Sequence, residues 1–411
     1  MKVVVFTLGC KVNRCESDAL IRGLEEAGHE VSDELIPADL YIVNTCAVTH
    51  EAEKKSRQMV SRIQKLNGEA RIIFTGCAAE RTPDLFLHKK NVRLVTGTAA
   101  KSKILDLLDQ EGKFVQDDKS EYEELLPVKT LKSRTYIKVQ DGCDNFCSYC
   151  IIPYLRGRSR SRSPEKIKEE IALTKPTEAV LNGINLSAYR YGELRLTDLL
   201  RELRDVACRI RLGSLEVNII DDAFLQACAD LVDFAPHFHL SLQSGSNAVL
   251  KKMNRHYTTE EYAEKVRLIR SYFPTAGITT DIIAGFPTET DEDFRETLAF
   301  VQEIKFSGMH CFPYSARSGT VAYNWKDLPT DLKKSRVDRL ISIGERMKNE
   351  FIEENLGSIQ EIVPETETSG IWDGYTGNYI RVYANGCTEG KRQKVRLIQR
   401  YLDGALGEVI L

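Results

Sequence analysis

Long apolar runs are missing from this 411-residue sequence. No stretch approaches the ~18 to 20 apolar residues that span a bilayer, which excludes a membrane helix. Charge of one sign is missing as well: 57 Lys and Arg stand against 60 Asp and Glu, a formal net charge of −3. A uniformly basic coat is thereby excluded, so any nucleic-acid contact must come from local patches. There is no internal repeat and no low-complexity tract. Hydrophobic residues make up 42% of the chain, enough for more than one sizeable core, so wholesale disorder is excluded. The opening MKVVVFTLGC is short and lacks a small-residue cleavage site after it; it reads as a first β-strand rather than a signal peptide. A cytoplasmic chain with no membrane partner is the expectation.

What the chain has in quantity is cysteine. There are eleven, an odd number: Cys10, Cys15, Cys46, Cys77, Cys143, Cys147, Cys150, Cys208, Cys228, Cys311 and Cys387. In a reducing compartment such residues pack cores, hold metals or do redox chemistry, rather than form disulfides.

Alternating signals set the organisation. Val3–Phe6, Leu40–Val43, Arg71–Phe74 and Val92–Val95 read as strands, with helices such as Glu16–Ala27 and Glu51–Leu66 between them, the pattern of a parallel sheet. Gln116–Glu124, QDDKSEYEE, is polar and aperiodic and reads as a linker. From Thr135 to Asn355, six strand-then-helix units follow. Their strands are Tyr136–Val139, Ala179–Leu181, Arg211–Leu215, His239–Leu242, Thr279–Ile283 and His310–Phe312, which fits a full or partial α/β barrel. After Leu356, short strands at Ile359–Val363, Tyr379–Val382 and Lys394–Ile398 alternate with glycine-bearing turns, giving a small β-barrel or sheet module. The expected class is α/β, with domains at 1–115, 129–355 and 356–411.

The sharpest motif is Cys143-Asp-Asn-Phe-Cys147-Ser-Tyr-Cys150. It follows the first strand of the barrel pattern, where α/β barrels place active sites. Three thiolates from one loop can hold three irons of a four-iron cluster, leaving the fourth iron open to a small molecule. A zinc site is the competing reading, but zinc motifs bring four ligands and no fourth is near. The spacing resembles the signature of the radical S-adenosylmethionine enzymes, which implies reductive cleavage of S-adenosylmethionine to a 5′-deoxyadenosyl radical.

Cys10, Cys46 and Cys77 each follow a predicted strand. In a parallel sheet all carboxyl ends share one edge, so the three can converge there; three buried packing cysteines are the alternative. Thr7-Leu8-Gly9-Cys10-Lys11-Val12-Asn13, Asn44-Thr45-Cys46-Ala47-Val48-Thr49, Thr75-Gly76-Cys77, and the stretch from Gln140 through Arg156-Gly157-Arg158-Ser159-Arg160-Ser161 resemble the methylthiotransferases. The resemblance covers nearly the whole chain. It implies an N-terminal domain with an auxiliary cluster, a radical S-adenosylmethionine barrel and a C-terminal RNA-binding TRAM module. It further implies two [4Fe-4S] clusters, one on Cys10, Cys46 and Cys77 and one on Cys143, Cys147 and Cys150. Cys15 has no counterpart in this pattern and reads as a bystander or an alternative ligand.

For S-adenosylmethionine, the resemblance and the strand-end positions point to Gly183 and Asn185 near the amine and Glu216 for the ribose or ammonium. Ser241 and Gln243 offer polar contacts, and Ile283 lies beside the adenine. Basic residues near the cluster loop (Arg156, Arg158) and in the last module (Lys391, Arg392, Lys394) are candidate phosphate contacts. A tRNA anticodon stem-loop, an electron donor and a sulfur donor are the implied partners. The tripeptide after Cys10 looks like the branch that acts on N6-threonylcarbamoyladenosine. The isopentenyladenosine branch more often has Gln-Met-Asn there, and the branch modifying a ribosomal-protein aspartate has Pro-Lys. A radical enzyme acting on protein and a non-enzymatic iron–sulfur RNA binder are the rival readings.

Overall fold

Apolar β-branched runs too short for helices become strands buried on both faces. In the computed structural model, which describes residues 1–127 and 134–410, all six residues of Leu40–Thr45 are buried, as are five of six in Arg71–Gly76. Such strands are the mark of a parallel sheet covered by helices. The sheet runs Glu30–Ser32, Lys2–Thr7, Leu40–Thr45, Arg71–Gly76, Val92–Thr96, Gly112–Phe114, and every neighbouring pair is parallel. Chain order reverses between Lys2–Thr7 and Leu40–Thr45. On one side, the helix His50–Leu66 lays Met59, Val60 and Ile63 onto the sheet; each contributes roughly 1.5–3 kcal/mol by burial. Thr49 caps it by accepting from the Ala52 amide at 3.1 Å, and Glu51 and Glu53 suit the positive end of the helix dipole.

The described residues divide into two units: 1–127 with 138–163 and 315–323, and 134–137 with 164–314 and 324–410. The cysteine loop and a late segment of the chain therefore belong with the N-terminal sheet. Residue 129, where the central domain is expected to begin, and residue 411 lie outside the described residues. The stretch 116–124 has no helix or strand, yet it is not a slack linker. Lys119 Nζ reaches Glu80 Oε1 at 2.6 Å and Leu155 O at 2.8 Å, Tyr122 donates its hydroxyl to Lys138 O at 2.6 Å, and Glu124 pairs with Arg162 at 2.8 Å. Long-range partners, invisible to composition, turn it into a strap.

In the second unit the six expected barrel strands are present. Arg134–Lys138, Glu178–Asn182 and Arg209–Leu212 lie side by side; Ser214–Leu215, His237–Leu240, Gly277–Ala284 and Gly308–Pro313 continue as a parallel set. Helices between them start where the chain offers caps: Thr258 with Glu261 and Thr290 with Asp293 form capping boxes. The C-terminal strands close into a barrel in the order Ile359–Thr368, Ile371–Thr376, Arg381–Asn385, Gly404–Val409, Gln393–Tyr401. Sequence reading finds only three of these five strands and puts a turn at Asp373-Gly374. Gly374 is instead inside a strand: a Cβ there would overlap the Val363 carbonyl, and one at Gly404 the Arg381 carbonyl. These glycines serve close strand approach in a narrow barrel.

Candidate functional site

In the first unit, Cys10, Cys46 and Cys77 stand at the carboxyl ends of Lys2–Thr7, Leu40–Thr45 and Arg71–Gly76. The first two flank the point where strand order reverses, the crevice in which open α/β sheets bind ligands. The loops are bolted together. Asn13 Nδ2 donates to Leu8 O and Thr45 O, both at 2.9 Å, while its Oδ1 accepts from the Cys10 thiol at 3.6 Å. Thr45 Oγ1 donates to Thr75 O at 2.6 Å and accepts from the Ala78 amide at 3.1 Å. Gly9 has a φ of +110°, and a Cβ there would come within 3.1 Å of Cys46 Sγ, so the backbone beside Cys10 approaches Cys46 only as glycine. Burial, with the neighbouring Cys77 and Cys10 sulfurs adding to it, pushes the Cys46 thiol up to about 11. Burial likewise raises Cys77, against the pull of Arg156. Cys46 and Cys77, costly to ionise on their own, together with Cys10 suit a cationic iron core, which would bind them as thiolates. Cys15 is buried on the helix Lys11–Glu26.

The second triplet lies in the same unit. Its loop opens at Gly142, whose φ is +72° and whose missing Cβ would overlap the Arg158 carbonyl oxygen. It is pinned by Cys143 N to Gly157 O at 3.1 Å, Cys150 N to Cys147 O at 2.9 Å, and Ala322 N to Ser148 O at 2.7 Å. Phe146 adopts φ +46°, with the Arg158 guanidinium 4.6 Å from its ring centroid. Cys147 is buried; Cys143 and Cys150 are half-buried. Three sulfurs on one tight loop form the donor set a four-iron cluster takes. Among the described residues no group of three or more His, Cys, Asp or Glu closes around a single metal ion.

Between the two triplets is a buried ionic network. Arg156 Nη1 meets Glu16 Oε1 at 2.9 Å and Asp141 Oδ1 at 3.0 Å, and its Nη2 meets Asn13 Oδ1 at 2.8 Å. Lys101 and Lys138 also pair with Glu16, at 2.8 and 3.1 Å; Lys138 and Arg160 pair with Asp141. Burial alone would raise Glu16 and Asp141. The surrounding cations overcome it and hold both carboxylates well below their ordinary range. Arg156 is fully buried, which corrects its reading as a phosphate contact: the carboxylates of Glu16 and Asp141 claim it. Arg160 and Arg162 also turn inward, leaving Arg158, exposed and paired with Asp144 at 3.3 Å.

In the second unit, five of the six cofactor candidates stand at strand ends or just beyond, and Ile283 lies within Gly277–Ala284 near its carboxyl end. Asn185 Nδ2 lies 3.4 Å from Glu216 Oε2, and Arg255 Nη1 pairs with Glu216 Oε1 at 2.8 Å. Arg255 also donates to Ser241 O at 3.2 Å, joined by the Tyr257 hydroxyl at 2.8 Å. The Gln243 amide donates to Asp281 O, and Ile283 N to Gln243 O, both at 2.9 Å; Gln243 is held at φ +70°. Arg255, about 40 residues beyond Glu216 in sequence, thus organises Glu216 and Ser241. Sequence reading also misses the polar line His237–Thr279–His239–Asp281, joined at 2.8, 3.0 and 3.3 Å. The two-residue spacing of its members within each strand, which puts them on one face, was the available signal. A cavity of about 480 Å³, lined by Thr279, His310, Lys348, Tyr375 and Arg381 among others, holds none of the six candidates.

In the last module Lys391 and Lys394 are exposed. Arg392 is not a free phosphate contact: it pairs with Asp233 and, at 3.6 Å, with Glu361. Cys208 and Cys228 are buried, and Cys387 packs against the barrel core. No helix among the described residues is long and apolar enough to cross a membrane.

Comparison with known proteins agrees with this geometry. The family model described as Radical SAM superfamily matches residues 137–301, and that described as Uncharacterized protein family UPF0004 matches residues 2–97. Radical SAM membership brings with it S-adenosylmethionine and a [4Fe-4S] cluster. Threonylcarbamoyladenosine tRNA methylthiotransferase MtaB of Bacillus subtilis (strain 168) is 37% identical, covering 97% of this chain and 94% of its own. The protein of the same name from Aquifex aeolicus (strain VF5) is 38% identical over 96% and 100%. The tRNA-2-methylthio-N(6)-dimethylallyladenosine synthase of Endomicrobium trichonymphae is 32% identical over the full length of both. Among solved structures, the radical S-adenosylmethionine methyltransferase TsrM from Kitasatospora setae shares the fold, with a TM-score of 0.56 at 14% identity over 90% of this chain and 80% of that one. By sequence identity across nearly its whole length, the chain belongs to the methylthiotransferase family of radical S-adenosylmethionine enzymes.

Proposed function

We propose that this chain is a tRNA methylthiotransferase that places a methylthio group on carbon 2 of N6-threonylcarbamoyladenosine beside the anticodon. The observation carrying it is the pair of cysteine triplets, each on its own set of bolted loops, in a chain 37–38% identical to proteins bearing that name. In this reading the chain has domains at 1–115, 129–355 and 356–411 and works in the cytoplasm with external electron and sulfur donors. Cys143, Cys147 and Cys150 would hold one [4Fe-4S] cluster, and Cys10, Cys46 and Cys77 an auxiliary one. The chemistry the bound cofactors supply is reductive cleavage of S-adenosylmethionine, giving a radical able to remove hydrogen from an inert carbon, together with the sulfur and the methyl group. The protein binds and orients. Gly183 lets backbone approach the amino acid end, Asn185 and Glu216 meet its ammonium or the ribose, Ser241 and Gln243 add polar contacts, and Ile283 flanks the base. Exposed Arg158, Lys391 and Lys394 supply phosphate contacts. Glu216→Gln is expected to weaken S-adenosylmethionine binding about tenfold, or ~1.4 kcal/mol, measured by equilibrium dialysis on reconstituted protein. Unchanged binding would remove Glu216 from the site.

The test of substrate is mass spectrometry of nucleosides from total tRNA, with and without the gene. Loss of only methylthio-threonylcarbamoyladenosine is the expected result. Loss of the methylthio-isopentenyl nucleoside would move the chain to the second branch, which the 32% identical Endomicrobium relative exemplifies. No change in any tRNA nucleoside would overturn the tRNA reading.

A further inference from the structure

The buried network does not balance. Among the described residues, Lys101, Lys138, Arg156 and Arg160 have Glu16 and Asp141 as their ion-pair partners, and all six are less than 10% exposed. Two positive charges are in surplus where an uncompensated ion is costly. The Arg156 Nε–H, moreover, is buried with no acceptor in the structure, although the other end of the same guanidinium is saturated by Glu16, Asp141 and Asn13. The positive charge of Arg156 also bears on the Cys77 thiol, opposing the rise that burial imposes. Arg156 is chained to both triplets: through Asn13 to Cys10, and by its ion pair with Asp141, two residues before Cys143, whose carboxylate also accepts from the Gly142 amide. A four-iron core in its resting state with three thiolates carries one net negative charge, so two such sites would supply the two missing negatives.

We propose that this cation surplus is the counter-charge of the iron-bound thiolates, and that Arg156 is a positioning residue which raises the reduction potential of the site on Cys10, Cys46 and Cys77. The proposal rests on reading those cysteines as cluster ligands. A buried cation close to the ligand sulfurs stabilises the more negative, reduced state. Because the same guanidinium is anchored by Asp141, it also fixes the spacing of the two cysteine loops.

The experiment uses full-length chain with Cys143, Cys147 and Cys150 all replaced by Ala, reconstituted anaerobically with iron and sulfide and titrated with dithionite under EPR. In that background Arg156→Gln is expected to shift the one-electron reduction equilibrium about tenfold toward the oxidised form, or ~59 mV. Arg156→Lys is expected to recover part of the shift. Lys101→Met leaves the Arg156 ion pairs in place and serves if Arg156→Gln does not fold. It is expected to shift the equilibrium the same way by less, and to raise the melting temperature of the cluster-free protein by removing one uncompensated cation. A full iron complement with an unchanged midpoint in both Arg156→Gln and Lys101→Met overturns the proposal alone. If Arg156→Gln does not fold, an unchanged midpoint in Lys101→Met suffices to overturn it. Failure of the triple variant to take up any cluster overturns the ligand reading on which it stands.

Discussion

Cys147→Ala is expected to bring the methylthio nucleoside in tRNA down to the background of cells without the gene, while the auxiliary site keeps its iron. Three thiolates on the loop from Cys143 to Cys150 are the fewest that leave one iron open to a small molecule; with two, a second iron loses its protein ligand. Cys147 is the buried member of the three, so no external thiol readily takes its place. Iron should fall by about half, from about eight to about four per chain, read by metal analysis after anaerobic reconstitution. Cys208→Ala is the matched control, because Cys208 is a buried barrel cysteine outside both triplets; its product level should stay unchanged. Full methylthio product from Cys147→Ala would sink the radical mechanism and favour a protein that only binds iron and RNA.

Glu16→Gln should be the most destabilising single change in the first unit, by about 3–5 kcal/mol, because it leaves buried cations without their shared partner. Glu16 receives Arg156, Lys101 and Lys138 together and is fully buried. A denaturant midpoint that drops without a change in slope would report the loss. Acid gives an independent reading. The folded Glu16 carboxyl is held below its ordinary value of 4.5, so its contribution is complete above that value and is lost as pH falls toward the folded one. Wild-type protein should therefore lose stability steeply below about pH 4.5, and Glu16→Gln should show a shallower decline. Equal acid slopes in the two proteins would mean that Glu16 is not the anchor of the network.

Much of this architecture is legible in the residues themselves. Strand runs such as Leu40–Val43 and Arg71–Phe74 announce themselves because a doubly covered strand is apolar on both faces and too short to be a helix. The two cysteine triplets stand out by their position after strands and, for the second, by spacing. What was illegible has one physical cause: partners far apart in sequence. Nothing near Arg156 says that Glu16 will bury it, so a run of alternating arginines reads as a surface for phosphate. Nothing in the local sequence around Arg255 announces the Glu216 carboxylate that the fold brings beside it. Gly374 reads as a turn because glycine's local freedom is visible while the Val363 carbonyl that requires it is not.

Residues 315–323 carry a consequence for the order of synthesis. Ala322 closes on Ser148, and Arg317 on Glu53, so the last piece of the first unit leaves the ribosome long after the rest. At 5–20 residues per second, the wait between the cysteine loop and this segment is on the order of ten seconds. Until then the nascent loop lacks the clasp that Ala322 gives Ser148. Iron delivered during translation would meet an unfinished receptacle; the chain ripens only after its own C-terminal half has been made.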